Sequence, residues 1–499
     1  MRRTSLLLAT AAVLLTGGSA LAHPDVTLAP TLPTDLTYAA TDNVEYLGRF
    51  PEHTGTAGGI LSPDRQRFFL TDPRGVYAYD VSNPASPALT GTLRLFQTTT
   101  GAALAQEDPD TDGKILLVDA APTPVGTAVL NVVDVSGAVP KVLSTLPVTD
   151  HTWSCVSGKV KGGKTGRCAF AYGRSGHVVD LRDPKKPVLL SDTWRTAVGY
   201  GNRGNSPYTH DVTEIRPGLV MTAGSTNVLM DTRNPAAPKR LLAIEQKGRF
   251  SSLGYHSVEW ANGGRDPWLV LGTEIAPDGA TNSAGSDCQG EESVIETWDA
   301  RPVVKAVAAY DKGVPAAKAF KGVAFKKIDA YDAAGRGVFL TGGAPGHVLY
   351  CAHWFEQRPG FKAGGLMAVS YYDRGTRFVK VDGKGVMSEL GWITAAEGYS
   401  GSAQWITKDV VYVMDYRRGL EVIRVKDEPA TGTRSSVGDT VHALSTGITP
   451  LGIGAVGGRL GGAGGGLGEV QKGLLGLAPA LLLVVAIGTR RRARTLALA

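Results

Sequence analysis

The feature that most constrains the fold is a strand, turn and strand unit that returns several times along the chain. It is clearest in residues 76–96, VYAYDVSNPASPALTGTLRLF. The residues before Asp80 alternate as in a half-buried strand, DVSNP favours a turn, and residues 89–96 begin a return strand. Close copies are LNVVDVSGAVPKVLSTL at Asp134, GHVVDLRDPKKPVLLSD at Asp180 and NVLMDTRNPAAPKRLLA at Asp231. The chain is therefore predicted to consist of repeated antiparallel units.

Weaker copies extend the series and place Glu296, Lys380 and Arg424 at the position of the aspartate. The markers are 44 to 84 residues apart, which fits the period of roughly 40 to 50 residues of a propeller blade with two insertions. Helical repeats would show apolar residues three and four apart, whereas these units alternate and break at Gly and Pro. The sequence predicts an all-β propeller, with seven four-stranded blades favoured and six or eight also compatible. No fold is predicted for the largest insertion, residues 306–348.

Two strands without partners are predicted at the ends of the repeats. Residues 44–49 alternate like a strand with nothing to pair before them, and the last unit, ending at Val425, lacks a return strand. A propeller avoids exposed sheet edges by closing its ring. We therefore expect the N-terminal strand to pair as the outer strand of the last blade.

The units resemble LVIVD repeats, which occur in surface proteins of bacteria and archaea. The pentapeptides that carry the resemblance are VYAYD, LNVVD, GHVVD and NVLMD, and the match covers residues 44–425. The resemblance implies a propeller at the cell surface. It implies no particular chemistry, because the family is largely uncharacterised.

Both ends of the chain have the pattern of an exported, membrane-anchored protein. Residues 1–22 are typical of a cleaved signal peptide, with a short buried helix as the alternative. Residues 426–472 are predicted to be a glycine-rich flexible linker. Residues 473–488 are apolar and precede a basic cytoplasmic tail, residues 489–499, which predicts a transmembrane anchor with the propeller outside the cell. Because the apolar segment is shorter than the roughly 20 residues of a span, a second cleaved signal or a buried terminal helix is the alternative.

Charge and motifs exclude several classes of protein. The formal net charge of +6 equals the number of arginines in residues 1–22 and 489–499, so residues 23–488 are balanced. A nucleic-acid surface needs Lys and Arg clustered on the folded domain, so the positive net charge does not indicate nucleic acid as a partner. The sequence also lacks a phosphate loop in a strand-to-helix setting, a GxSxG elbow and a CxxC pair.

The four cysteines form two plausible pairs for an exported chain. Cys155 and Cys168 lie on the two strands of one predicted hairpin, where neighbours come within bridging distance. Cys288 and Cys351 lie in loops expected on the same face of the propeller. Buried free thiols are the alternative.

Five of the nine histidines introduce the first strand of a predicted blade. Equivalent positions in successive blades are related by rotation about the propeller axis, so four of them are expected to converge at the mouth of the central channel and bind a transition metal: His151, His210, His256 and His353. Glu274 is expected on the same face as a fifth ligand or as an acceptor that orients a histidine. His53 is expected at the rim. The second and seventh blades have residues 100–103 and 400–402 at this place.

Two function classes follow. The first is a surface binding or scaffold propeller, whose partner is a protein, a glycan or a small molecule. The second is a metal-dependent oxidoreductase, because the fold resembles that of selenium-binding proteins and the related methanethiol oxidases, which are propellers with metal-binding histidines. Imidazole ligands suit copper or zinc. A histidine that only hydrogen-bonds the next blade is the structural alternative, so the sequence does not decide whether the chain is an enzyme.

Overall fold

The strands form seven antiparallel sheets in a computed structural model, which describes residues 36–56, 58–96, 107–121, 127–200, 209–245, 255–273, 294–333, 352–372, 374–395 and 398–437. Six of the sheets contain four consecutive strands, and the seventh combines three consecutive strands with one from the start of the propeller. The first strands of successive sheets lie against each other. The predicted seven-bladed β-propeller is confirmed.

The described strands are, in chain order, β1 (Leu36–Thr41), β2 (Val44–Phe50), β3 (Gly58–Leu61), β4 (Arg67–Asp72), β5 (Gly75–Asp80), β6 (Ala88–Arg94), β7 (Asp110–Thr111), β8 (Ile115–Ala120), β9 (Val129–Asp134), β10 (Lys141–Leu146), β11 (Trp153–Lys159), β12 (Thr165–Gly173), β13 (Val178–Asp180), β14 (Val188–Ser191), β15 (Thr209–Arg216), β16 (Leu219–Gly224), β17 (Thr226–Asp231), β18 (Lys239–Glu245), β19 (Tyr255–Glu259), β20 (Trp268–Thr273), β21 (Ile295–Asp299), β22 (Lys326–Tyr331), β23 (Phe355–Gln357), β24 (Gly365–Ser370), β25 (Thr376–Val381), β26 (Met387–Ala395), β27 (Ser400–Trp405), β28 (Val410–Asp415), β29 (Gly419–Val425) and β30 (Thr433–Val437). Blades 1 to 6 are β3–β6, β7–β10, β11–β14, β15–β18, β19–β22 and β23–β26. The helical segments are a 3-10 turn (Pro51–His53), α1 (Trp194–Ala197), α2 (Ala261–Gly264), α3 (Arg301–Asp311) and α4 (Ala316–Ala319).

Blade 7 consists of β27, β28 and β29 together with β2 from the start of the propeller. Strand β2 runs antiparallel to β29, with Val44 opposite Val425 and Phe50 opposite Leu420. The expected closure by the N-terminal strand is confirmed, and it covers what would otherwise be the open edge of the last blade.

The sheets extend beyond the predicted limits of residues 44 and 425. Strand β1 pairs with the outer strand of blade 6, and β30 pairs with β1, so that sheet has six strands. Residues 433–437 therefore belong to a sheet, and the start of the predicted linker at residue 426 was too early. The prediction failed because TRSSV lacks the apolar alternation of a half-buried strand.

A carboxylate closes the turn after the third strand in blades 1 to 6. It accepts the backbone N–H two residues further on, at 2.7 to 2.9 Å, in Asp80, Asp134, Asp180, Asp231, Asp299 and Asp382. Glu296 and Lys380, which the sequence placed in this role, instead lie inside β21 and β25. Those two assignments were wrong, because the side chain must follow the strand to cap the turn.

The expected return strand of the fifth copy is also wrong. Residues 301–311 form α3, whose buried residues Val303, Ala306 and Val307 have the three- and four-residue spacing of a helix. The helix packs against blades 4 and 5, and the fourth strand of blade 5 is β22. The rest of the insertion, residues 334–348, lies outside the described residues.

The core lies between neighbouring blades. In blades 2, 4, 5 and 7 the second strand is buried along its whole length. A strand that is covered on both faces reads as a continuous apolar run, whereas the outer strands such as β10 and β14 are largely exposed.

Cys155 and Cys168 form a disulfide across the hairpin of β11 and β12, as predicted. Cys288 and Cys351 lie outside the described residues, and so do residues 1–22 and 473–488. Among the described residues, no helix is long and apolar enough to cross a lipid bilayer.

Candidate metal centre

In blades 2 to 6 the start of the first strand brings one side chain into a common cluster. In blade 2, Asp108 bridges Thr152 of blade 3 in parallel, and the Glu107 N–H donates to the His151 carbonyl at 3.4 Å. This register puts Glu107 at the position that His151 occupies in the next blade. Five consecutive blades, 2 to 6, thus supply one carboxylate and four imidazoles from a single repeat position: Glu107, His151, His210, His256 and His353.

The four histidines surround one atom, Oε2 of Glu107. Its distances to their Nε2 atoms are 3.1 Å for His151, 3.7 Å for His210, 3.6 Å for His256 and 3.5 Å for His353. All five side chains are at most 13% exposed. The sequence-predicted histidines therefore meet in one small volume.

The spacing of three of these ligand atoms, those of Glu107, His210 and His256, matches what a metal ion requires. Two ligands about 2.1 Å from an ion in tetrahedral geometry lie about 3.4 Å apart. The distances from the Glu107 oxygen scatter around that value, and the ligand atoms of Glu107, His210 and His256 all lie within 4.8 Å of one another. The donor set of imidazoles and one carboxylate fits zinc or copper.

Backbone carbonyls of the next blade fix the orientation of two rings. Nδ1 of His210 lies 3.1 Å from the His256 carbonyl, and Nδ1 of His353 lies 2.5 Å from the Gly401 carbonyl. A carbonyl only accepts, so Nδ1 of each of these rings carries a proton. Once the Nε2 proton is lost, the neutral ring directs its Nε2 lone pair toward Glu107. The inter-blade bond that the structural alternative predicted is thus present, and it leaves Nε2 available as a ligand.

The protonation states suit a cation site. Burial opposes ionisation of Glu107, but the positive charge on His151 and His353 outweighs it and holds the pKa of this carboxyl well below its usual value. Burial, followed by repulsion from His256 and His151, holds the pKa of His210 well below its usual value. An ionised carboxylate and a neutral imidazole are the forms that bind metals.

Aromatic side chains hold Glu107 in place. The Tyr416 hydroxyl donates to Glu107 Oε1 at 3.0 Å, and Trp354 Nε1 donates to Oε2 at 3.4 Å. The Trp354 ring lies 4.8 Å from the His256 ring. Tyr372 lies 4.6 Å from His353 and is stacked on Tyr399 at 4.5 Å.

Two of the residues predicted from the sequence, Glu274 and His53, are not among the described members of this cluster. Glu274 lies outside the described residues. His53 is fully buried beside blade 1, where Nδ1 lies 3.2 Å from an Asp72 oxygen and Nε2 contacts the Tyr79 hydroxyl. It precedes β3 by five residues, so it does not hold the repeat position of the other four histidines.

Sequence reasoning missed Glu107 because it placed the start of blade 2 at residues 100–103. A usable signal was a fixed spacing: in three blades an acidic residue follows the cluster residue by three positions along the first strand. That spacing is Glu107 to Asp110, His256 to Glu259 and His353 to Glu356.

Below the cluster, a cavity of about 290 Å³ follows the central channel and is rich in carboxylates. Most of these side chains accept a backbone N–H from the first strand of a neighbouring blade: Asp110 from Cys155, Asp211 from Val258, Glu214 from Ser157, Glu259 from Gln357 and Glu356 from Trp405. The first strand is an edge strand, so these bonds satisfy N–H groups that its own sheet cannot pair. Burial raises the pKa of Glu214 and Glu356 to about 7.

No protein-family model and no curated protein matches the sequence. Among solved structures, the chain is similar to the β-propeller domain of Cps50 (Swd1) from Myceliophteria thermophila, with 10% identity and a TM-score of 0.46 over 77% of this chain and 99% of that one. It is also similar to the WD40 β-propeller domain of Doa1, with 9% identity and a TM-score of 0.44 over 77% of this chain and 98% of that one. The strand order of the seven sheets carries the fold assignment by itself: the chain is a seven-bladed β-propeller.

Proposed function

We propose that this propeller binds one transition-metal ion at the mouth of its central channel. The ligands are the side chains of one repeat position in blades 2 to 6: Glu107, His151, His210, His256 and His353. The observation that supports this most strongly is the 3.1 to 3.7 Å separation between four imidazole nitrogens and a single carboxylate oxygen.

Zinc and copper are the metals that the donor set favours. Calcium and magnesium prefer sites built from oxygen ligands, whereas imidazole nitrogen suits first-row transition metals. The Nδ1 bonds of His210 and His353 to carbonyls are the usual second contact of metal-binding histidines, since they fix the ring and raise its basicity.

Elemental analysis of the purified full chain, expressed with zinc or with copper supplied, tests the proposal. We expect close to one metal per chain in the wild type and almost none in a His210→Ala, His256→Ala double variant. His177→Ala is the matched control, because His177 is bonded to Asp150 outside the cluster, and it should keep the metal. Equal substoichiometric metal in all three proteins would show that the histidines are structural.

We also propose an oxidoreductase activity for the copper-loaded form as a second candidate. It is supported by the oxidisable rings that touch the ligands, Trp354 on His256 and Tyr372 on His353. Oxygen consumption in the presence of a small thiol such as methanethiol would reveal it. A rate equal to that of the double variant would exclude this activity.

The sequence patterns support the further proposal that the chain is an LVIVD-type surface scaffold, exported and held by residues 473–488, with a protein, glycan or small-molecule ligand. Membrane fractionation tests the anchor. Detergent should be needed to release the full-length chain, and its release by salt alone would contradict the anchor.

A further inference from the structure

Blade 7 has Gly401 at the repeat position of the four histidines, because the Gly401 carbonyl contacts His353 Nδ1 as the His256 carbonyl contacts His210 Nδ1. A Cβ added to Gly401 would lie 2.6 Å from Cε2 of the Tyr416 ring, which is closer than side chains pack. The ring of Tyr416 therefore occupies the space that a side chain of blade 7 would otherwise fill. Tyr416 follows β28 in the same blade, so blade 7 reaches the cluster from its second strand instead of its first.

The hydroxyl of Tyr416 ends at the other oxygen of the central carboxylate. It donates to Glu107 Oε1 at 3.0 Å, while Oε2 lies among the four imidazoles. The carboxylate group is thereby held with one oxygen on the tyrosine and one on the histidines. The Tyr416 backbone is fixed as well, because its N–H donates to the Tyr399 carbonyl at 3.0 Å and its carbonyl accepts the Gly55 N–H at 2.7 Å.

We propose that Tyr416 is a positioning residue of the centre, which holds Glu107 as a ligand through a single oxygen. The inference rests on the proposed metal binding. It adds blade 7 to blades 2 to 6, so that six of the seven blades contribute to the site. Gly401 is the complementary requirement, since any side chain there would displace the Tyr416 ring. Without the hydroxyl, both oxygens of Glu107 become available to an ion, and the coordination number rises.

Replacing the hydroxyl tests this directly. In Tyr416→Phe the ring still packs on Gly401, and we expect the affinity for Zn²⁺ to fall about tenfold, as for other groups that orient a ligand. The visible absorption of the Co²⁺ form should weaken, because a higher coordination number lowers its intensity. Gly401→Ala should give the same two changes although it keeps the hydroxyl. Tyr399→Phe, whose ring lies 5.4 Å from that of Tyr416, is the control and should give neither.

The outcomes separate this inference from the proposed function. Wild-type protein that binds neither Zn²⁺ nor Co²⁺ would overturn both. Wild-type binding with unchanged affinity and spectrum in Tyr416→Phe would overturn only the role of Tyr416. A weaker affinity with an unchanged Co²⁺ spectrum would mean that the tyrosine merely stabilises the fold, and would also overturn its role.

Discussion

In His210 and His353 the two ring nitrogens have separate tasks. Nδ1 binds a carbonyl of the next blade, and Nε2 faces Glu107. The positions of the histidines could be predicted from the sequence, because a repeated place in a rotationally arranged fold fixes a place around the axis. Glu107 could not be found by looking for histidine, since its blade keeps the position but changes the residue.

The first prediction concerns the charge of Glu107. Glu107→Gln keeps the shape and the acceptor for Tyr416 but removes the negative charge beside four imidazoles. We expect Zn²⁺ affinity to fall at least tenfold, about 1.4 kcal/mol, in a calorimetric titration.

Glu356→Gln is the matched control for this change. Glu356 lies in the same channel, three residues along from His353, and its partner is the Trp405 N–H. An amide oxygen can still accept that bond, so the affinity should stay unchanged. An equal loss of affinity in both variants would mean that only the overall charge of the channel matters.

Individual elements could be predicted from the sequence where the pattern of apolar and turn residues fitted only one type of structure. The turn aspartates Asp80, Asp134, Asp180 and Asp231 were identified correctly because apolar alternation precedes each of them. In the fifth copy the apolar residues after the turn fit a helix as well as a strand, and packing against blade 4 decided for α3. Short apolar runs are ambiguous in this way.

The second prediction concerns the hairpin disulfide. Cys155 and Cys168 are separated by 13 residues, and closing a loop of that size stabilises a fold by about 3 kcal/mol in the chain-entropy model. The Cys155→Ser, Cys168→Ser variant should therefore melt several degrees lower, and a reducing agent should lower the melting temperature of the wild type by more than that of the variant. Peptide mapping without reduction that finds Cys155 linked to Cys288 would contradict the pairing.

The whole molecule combines a closed ring with an acidic channel. Closure followed from the sequence because two predicted strands lacked partners. The added pairing of β1 with β30 did not, since long-range pairing of weakly patterned strands leaves little signal.

The third prediction concerns closure. Deleting residues 36–50 removes β1 and β2, which exposes an edge of β29 in blade 7 and an edge of β26 in blade 6. We expect aggregation in size-exclusion chromatography or a marked loss of thermal stability. A monomeric truncated protein with an unchanged melting temperature would show that the ring does not need this strand.

The fourth prediction concerns pH. Burial raises the pKa of Glu214 and Glu356 to about 7, so the folded protein holds protons that the unfolded chain releases near pH 4.3. As pH rises from about 4.5 to 7, each of these two carboxyls lowers the free energy of unfolding by roughly 3 kcal/mol. Hydrogen bonds from the backbone and the side chain of Ser82 lower the pKa of Asp80, so its contribution to stability is lost only as pH falls below about 4.

Unfolding by urea should therefore show greatest stability near pH 4 to 5. Glu356→Gln should be more stable than the wild type at pH 8 and similar to it at pH 4.5. A wild-type protein whose stability rises steadily from pH 4.5 to 8 would contradict the account of the channel.

The central claim is that four imidazoles and one carboxylate bind a single metal ion. X-ray absorption spectroscopy of the zinc-loaded full chain measures those ligands directly. We predict nitrogen and oxygen neighbours at about 2.0 to 2.1 Å, with the outer-shell scattering of several imidazole rings, which disappears in the His210→Ala, His256→Ala variant. A shell of six oxygen atoms without imidazole scattering would contradict the claim.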